Sequence, residues 1–278
     1  MVHFHLDIND TKKLEKVLTI ICPDIVIHLA SISSAQYAFK HPIETLYSNG
    51  MAIAQICEII HRKGWKTKLF NASSVEIYKG HVDYFVKEDE LTHTYNPHPY
   101  SIAKIMGQSM VDFYRNTYQS PFSNGILFTT ESKYKRPEFL LNKMSKHIQQ
   151  WKQGNQTILK VGNLDSYRNV IHASDVARAI RQIIQQEKGD NYLICGYQSY
   201  KILDLVFRLY AFANIELVQM DNQLCEKNTG ISVILMETNP EGLDTTPIDI
   251  RGEPTKLTKL GWKPFFSIDD ILKEFVMG

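Results

Sequence analysis

Short apolar runs alternate along the chain with longer stretches of helical periodicity. Residues 24–30 (DIVIHLA) are an apolar run set between turn residues and small residues, the pattern of a buried strand. Across 42–63, Leu46, Ile53, Ile56 and Ile60 recur at three- to seven-residue steps, which predicts a helix. The run 67–72 (TKLFNA) predicts a strand and 122–128 (FSNGILF) another. Between them, 100–119 carries Ile102, Met106, Met110 and Phe113 at helical spacing. Strand, helix, strand, helix is the order of an α/β fold with a parallel sheet covered by helices on both faces. Beyond residue 129 helices are predicted at 137–152, 173–187, 200–213 and 267–276, with short strands near 158–161 and 191–195. The stretch 219–253, rich in Asn, Asp, Gly and Pro, predicts long loops with at most short strands.

Composition narrows the classes. A chain of 278 residues, 44% hydrophobic and 22% charged, can build one large or two smaller domains with a substantial core. Lys+Arg 31 against Asp+Glu 30 leaves +1, which argues against a broad nucleic-acid face. Cys22, Cys57, Cys195 and Cys225 lie far apart with no CxxC pair, so neither zinc nor a disulfide framework is expected. His3 and His5 alternate along a strand expected at 2–6, but no third ligand is in view, so no metal is expected. No apolar run approaches the roughly 20 residues of a membrane span, and the first residues lack a signal-like apolar region. The expectation is a soluble, cytoplasmic protein with no membrane partner.

Two constellations carry chemistry. Tyr100 and Lys104, in YSIAK, stand at i and i+4, which on a helix puts both on one face. A lysine beside a tyrosine favours the phenolate and would bring its pKa down from about 10, yet a chain with 14 tyrosines also produces this spacing by chance. Asn71–Tyr78 (NASSVEIY) leaves a predicted strand at its carboxyl end, where open α/β sheets place ligands. Glu76, between Val75 and Ile77, is expected in a partly apolar setting that would raise its pKa toward acid–base range. The plainer alternative is a helix-capping serine beside a solvated glutamate.

The order LDIND (6–10), IVIHLASISSA (25–35), ASSVEIY (72–78), NPHPYSIAK (96–104), NGILFTTES (124–132), GNLDSYRNVIHASDVA (162–177) and KLGWKP (259–264) resembles the extended short-chain dehydrogenase/reductases, and within them the GDP-mannose 4,6-dehydratase family. The resemblance implies an NADP-dependent dehydration of a nucleotide sugar, GDP-mannose, to its 4-keto-6-deoxy form. It implies Tyr100 as the base at the sugar C4 hydroxyl and Lys104 on the nicotinamide ribose. It implies Glu76 at the C5 proton, Ser74 assisting loss of water from C6, and Arg168 on the diphosphate of the sugar nucleotide. Asp7 and Ile8 stand where the family contacts adenine, Leu29, Ala30, Ser31 and Ser33 where it lines the dinucleotide, and Lys135 where it places an arginine in the loop. The organisation implied is an incomplete dinucleotide-binding domain over 1–128 and, over 129–278, mainly a substrate-binding lobe with some segments returning to the sheet.

The departures from that family are specific. Of the 14 glycines the nearest two, Gly189 and Gly196, are seven positions apart, so no glycine-rich dinucleotide turn exists anywhere in the chain. Only six residues precede Asp7, so the family's first two strands and helices are expected to be missing. Thr130, Lys135 and Glu44 replace a histidine, an arginine and a tyrosine of the family pattern, and Asp244 or Thr245 falls where it has an arginine. The expectation is little turnover from the isolated chain, with NADP binding in doubt. The alternatives are a dehydratase-like enzyme whose amino-terminal part is absent from this chain or separately encoded, a catalytically silent pseudoenzyme kept for binding or assembly, and, disfavoured by Glu76, a sugar-nucleotide epimerase or reductase. A homo-oligomer is also in view. The strand at 2–6 is expected to pair directly with 24–30 through a right-handed crossover.

Overall fold

The computed structural model describes residues 2–79, 85–88, 98–237 and 249–277. Helix α1 (Thr11–Ile21) leads to strand β1 (Ile25–His28), then α2 (Ala35–Lys40) and α3 (Pro42–Thr45), which runs through a π-helical turn (Leu46–Met51) into α4 (Ala52–Arg62). Strand β2 (Lys68–Ser74) ends in a 3₁₀ turn (Val75–Tyr78). After it come β3 (Phe85–Val86), α5 (Pro99–Tyr118), β4 (Phe122–Leu127) and β5 (Thr129–Glu131). Then follow α6 (Leu140–Lys152), β6 (Leu159–Val161), β7 (Tyr167–His172), α7 (Ala173–Ile184), β8 (Asn191–Ile194), β9 (Ser199–Lys201) and α8 (Ile202–Phe212). The chain closes with β10 (Leu217–Met220), β11 (Gln223–Glu226), β12 (Ser232–Met236), β13 (Arg251–Gly252), α9 (Thr255–Lys259) and α10 (Ile268–Met277).

Two compact units emerge. The first is Met1–Phe128 with Val176–Cys195 and Gly252–Lys263; the second is Thr129–Asp175 with Gly196–Arg251 and Pro264–Gly278. In the first, β1, β2, β4 and β8 form a parallel sheet in that order. Leu14, Leu18, Ile53, Ile56, Ile60, Leu69, Val111 and Phe122 make its core, with Leu6, Ile8 and Val26 packed on the margin. Helix α5 lies close against the π-helical turn at two glycines: a Cβ on Gly107 would fall 2.6 Å from Ile53, and one on Gly50 2.8 Å from the Met106 sulfur. In the second unit β10, β11, β12 and β6 form one small sheet and β5, β7 and β9 another, around a core that includes Met144, Ile148, Val206, Leu209 and Leu272. Among the described residues no helix is long and apolar enough to cross a membrane.

Polar groups tie α5 to the sheet in the first unit. Asn71, Asn124 and Asn191 stand side by side on β2, β4 and β8. The Asn71 amide donates to Asn124 Oδ1 at 2.8 Å, and the Asn124 amide to Asn191 Oδ1 at 3.0 Å and Asp112 Oδ1 at 2.9 Å. Arg115 closes the row, donating to Asn191 Oδ1 at 3.0 Å and the Phe122 carbonyl at 3.3 Å. One turn earlier on α5, Gln108 Oε1 accepts from the Ser73 hydroxyl at 2.7 Å, and before that Lys104 Nζ donates to the Ala72 carbonyl at 2.8 Å.

One expectation is corrected and another gains its detail. Residues 2–6 form no strand and do not pair with β1: Leu6 and Ile8 are taken into the core beside Val26, while Val2 and Phe4 stay exposed. Within 219–253 the described residues hold the short strands expected there: β11 and β12 pair antiparallel and β12 runs parallel to β6. Asp and Gly residues of this stretch make the turns, Asp221 at φ 53° between β10 and β11 and Gly230 at φ 71° between β11 and β12.

Asn124→Leu strands the Asn71 amide in the interior and takes one donor each from Asp112 Oδ1 and Asn191 Oδ1, which keep Arg115. Urea unfolding should show a loss of roughly 3 kcal/mol. A loss below about 1 kcal/mol would mean that the asparagine row is peripheral to stability.

Candidate active site

The carboxyl end of β2 and the first turn of α5 carry the candidate site. Ser74 is buried at the end of β2, and its hydroxyl accepts the Glu76 N–H at 3.3 Å, capping the 3₁₀ turn that presents Glu76. Tyr100 stands in the first turn of α5, and Ser74 hydrogen-bonds its phenol. Lys104, buried, lies one turn on, with Nζ 5.7 Å from the centre of the Tyr100 ring. These four side chains, expected from the sequence as the acid–base set, sit on two adjoining elements of one unit.

Their electrostatics differ from expectation. Tyr100 is pushed up to about 12, not down: burial of the phenol dominates, Glu76 adds to it, and the Ser74 hydrogen bond opposes it. Lys104 is pulled down to about 8 by burial alone. At neutral pH Tyr100 is therefore a protonated phenol, a hydrogen-bond donor and acid rather than a ready base. Glu76 is not enclosed by its apolar neighbours. Its carboxylate is a third exposed and faces Lys79 Nζ at 3.4 Å, because Ile77 turns inward while the 3₁₀ turn carries Glu76 outward.

His98 is a neighbour that the sequence reading passed over. It caps α5, its Nδ1 accepting the Tyr100 N–H at 3.2 Å, and its ring lies 6.0 Å from Phe39. Burial lowers its pKa, with Lys79 adding and Glu76 opposing. The signal was present: a polar residue directly before the Pro99 that opens a helix is an N-cap position. Gln108, Asp112 and Arg115 were legible in the same way, as polar residues continuing from Lys104 at helical spacing.

The residues expected to meet a cofactor fall into two groups. Asp7 closes a turn before α1, its carboxylate accepting the Asn9 N–H at 2.9 Å, and Ile8 packs on the core. Leu29 and Ala30 are exposed in the turn after β1, Ser31 is half-buried, and Ser33 is exposed. Asn49 holds that turn, exchanging hydrogen bonds of 2.8 and 2.9 Å with the Ile32 backbone. In the second unit, Lys135 Nζ is committed to Glu131 Oε1 at 2.8 Å and the Thr130 carbonyl at 3.1 Å. Arg168 is exposed and donates to the Tyr167 carbonyl at 2.7 Å. Glu44 accepts from the Tyr37 hydroxyl at 2.9 Å, Arg251 pairs with Asp249, and Asp244 and Thr245 lie outside the described residues.

These residues do not fit a bound NADP at its diphosphate. A diphosphate is held by free N–H groups at a helix start, on a backbone bare enough to approach closely. The turn at Leu29–Ser33 contains no glycine and opens α2, a helix of six residues, where Ser34 Oγ already accepts the Tyr37 N–H at 3.2 Å.

The shifted pair predicts a pH signature. Between pH 8 and 10.5 unfolded Lys104 keeps a proton that the folded residue has released, so stability rises with pH across that window, by up to about 3 kcal/mol. Above pH 10 the unfolded phenol of Tyr100 loses its proton first, and stability falls toward pH 12. In Lys104→Met the rise above pH 8 should vanish. A rise that persists in chemical denaturation series of the variant would assign it to another group.

Comparison with known proteins gives the context. The family model described as GDP-mannose 4,6 dehydratase matches residues 1–275. GDP-mannose 4,6 dehydratase 2 of Caenorhabditis elegans is 27% identical over 97% of this chain and 72% of its own length. GDP-mannose 4,6-dehydratase of Vibrio cholerae is 26% identical over 98% and 77%. In fold the chain is similar to RMD from Pseudomonas aeruginosa, solved with NADPH, at TM-score 0.81 and 21% identity, covering 100% of this chain and 88% of that one. It is also similar to UDP-glucose 4-epimerase from Thermotoga maritima, solved with UDP-glucose, at TM-score 0.78 and 20% identity, covering 99% and 82%. With the match running from end to end, the chain belongs to the GDP-mannose 4,6-dehydratase family.

Proposed function

We propose that this chain carries the acid–base machinery of a nucleotide-sugar 4,6-dehydratase acting on a GDP-linked hexose. The observation that carries this reading is the gathering of Ser74, Glu76, Tyr100 and Lys104 at the end of β2 and the start of α5. A 4-keto sugar has an acidified C5–H. Glu76, at the exposed lip of the 3₁₀ turn, takes that proton. The developing enolate at O4 receives hydrogen bonds from the Tyr100 phenol, which burial keeps protonated, and from Ser74. The enolate then expels the C6 hydroxyl, which takes from Glu76 the proton removed from C5 and leaves as water. Lys104, bonded to the Ala72 carbonyl, holds the base of this site and keeps α5 in register. Arg168 and Lys135 are the cations assigned to phosphate, Lys135 weakened for it by its bond to Glu131.

The diphosphate misfit favours a second reading, a catalytically silent fold kept for binding. Proton exchange separates the two without any cofactor. In D₂O with GDP-4-keto-6-deoxymannose, the chain should incorporate deuterium at C5, followed by mass spectrometry. Glu76→Gln should slow this about 100-fold or more, and Tyr100→Phe about 100-fold. Exchange no faster than without protein would leave the silent fold. In a calorimetric titration NADP should show no micromolar binding; a micromolar isotherm would overturn the misfit drawn at Leu29–Ser33.

A further inference from the structure

One ring nitrogen of His98 has a partner and the other has none. Nδ1 accepts the Tyr100 N–H at 3.2 Å and so caps α5. In a neutral imidazole an accepting Nδ1 places the proton on Nε2, and burial together with the Lys79 charge disfavours the imidazolium here. Nε2–H is therefore a donor. It is covered from solvent and has no hydrogen-bond partner among the described residues. A buried N–H without an acceptor costs the whole of its desolvation, and native structures leave few of them. Capping accounts for Nδ1, and nothing in the resting fold accounts for Nε2.

Glu76 is the acceptor with least to lose by meeting it. The charges that reach the His98 ring are those of Lys79 and Glu76, and Glu76 reaches the Tyr100 phenol as well. At rest the carboxylate lies outward, 3.4 Å from Lys79 Nζ, in a surface pair of a kind that contributes little. The Tyr100 phenol, on the residue that His98 caps, is already engaged by Ser74.

We propose that His98 is a positioning residue, whose Nε2–H draws the Glu76 carboxylate away from Lys79 and holds it inward on the side of Tyr100. The new bond is charge-assisted and sheltered from water, so it is stronger than the surface pair it replaces. A carboxylate paired with an ammonium is a blunted base, whereas a neutral N–H holds it in place at less cost to its affinity for a proton. The catalytic sense of this contact rests on the reading of Glu76 as the C5 base. The pairing itself is testable without substrate.

In the full chain carrying isotopically labelled histidine rings, the NMR signal that His98→Asn removes belongs to His98. Lys79→Met deprives Glu76 of its surface partner, with Lys79→Gln as the second variant if the first does not fold. The His98 Nε2–H signal should then move downfield and exchange with water about tenfold more slowly, and Glu76→Gln in that background should reverse both changes. In the C5 deuterium assay, His98→Asn keeps an oxygen to cap α5 but loses the ring donor. It should melt as the parent does and exchange about tenfold more slowly or worse. His98→Gln, which restores a donor and gives up the cap, should melt lower and recover most of the rate. A His98 signal indifferent to the loss of Lys79, or a shift that Glu76→Gln leaves in place, overturns the proposal whatever the C5 assay shows. An unchanged C5 rate in His98→Asn overturns it too. A signal that answers to Glu76 in a chain with no C5 exchange above background upholds the pairing and overturns instead the reading of Glu76 as the base.

Discussion

The buried polar row that joins α5 to the parallel sheet is the constraint on which the site depends. Parallel strands that read as continuous apolar runs carry little alternation to set their register, and a one-residue slip would exchange equivalent faces at small cost in apolar burial. Asn71, Asn124 and Asn191 remove that freedom, because each buried amide is satisfied only when all three stand level. Asp112 and Arg115 extend the constraint to the helix, and Gln108 and Lys104 carry it toward the amino end of α5. Tyr100, one turn beyond Lys104, thereby meets Ser74 at the end of β2. Gly50 and Gly107 let the helix lie close enough to the π-helical turn for this to hold.

That construction decides the resting protonation of the site. A charged lysine near a phenol favours the phenolate, which is the argument spacing alone supports. Burial acts on both groups, however, and disfavours the charged form of each: it lowers Lys104 and raises Tyr100. With Lys104 close to neutral when Tyr100 would need its charge, the mutual attraction that would create a tyrosinate is lost. The site at rest is an acid set over a carboxylate, suited to holding an enolate oxygen.

Much of the first unit was legible because its elements are long or apolar. The runs at 24–30, 67–72 and 122–128 became β1, β2 and β4, and the Ile102–Phe113 periodicity became α5. The failures have particular causes. Val2, Phe4 and Leu6 alternate as a strand should, but pairing is a tertiary event, and Leu6 finds its burial under α1 instead. In 219–253 the short strands expected could not be given bounds, because hairpin turns and loops share a composition. The neighbours of Glu76 in sequence are apolar, yet Val75 and Ile77 bracket a 3₁₀ turn rather than a strand, so adjacency in sequence did not mean enclosure in space. The asparagine row was invisible because its members lie on three strands far apart in the chain.

Structural duty and chemical duty overlap unevenly among the four site residues, and this bears on how much their presence says. Lys104 bonds a backbone carbonyl in the interior and Ser74 caps the turn after β2, so the fold itself gives a reason for both. Tyr100 is bound to Ser74 and capped through its backbone by His98. Glu76 is different. It is a third exposed, its ion pair with Lys79 is at the surface, and surface pairs of this kind contribute little to stability. Nothing in the packing of the first unit requires a carboxylate at that position, so among the four it is Glu76 that weighs for chemistry over a fold kept for its own sake.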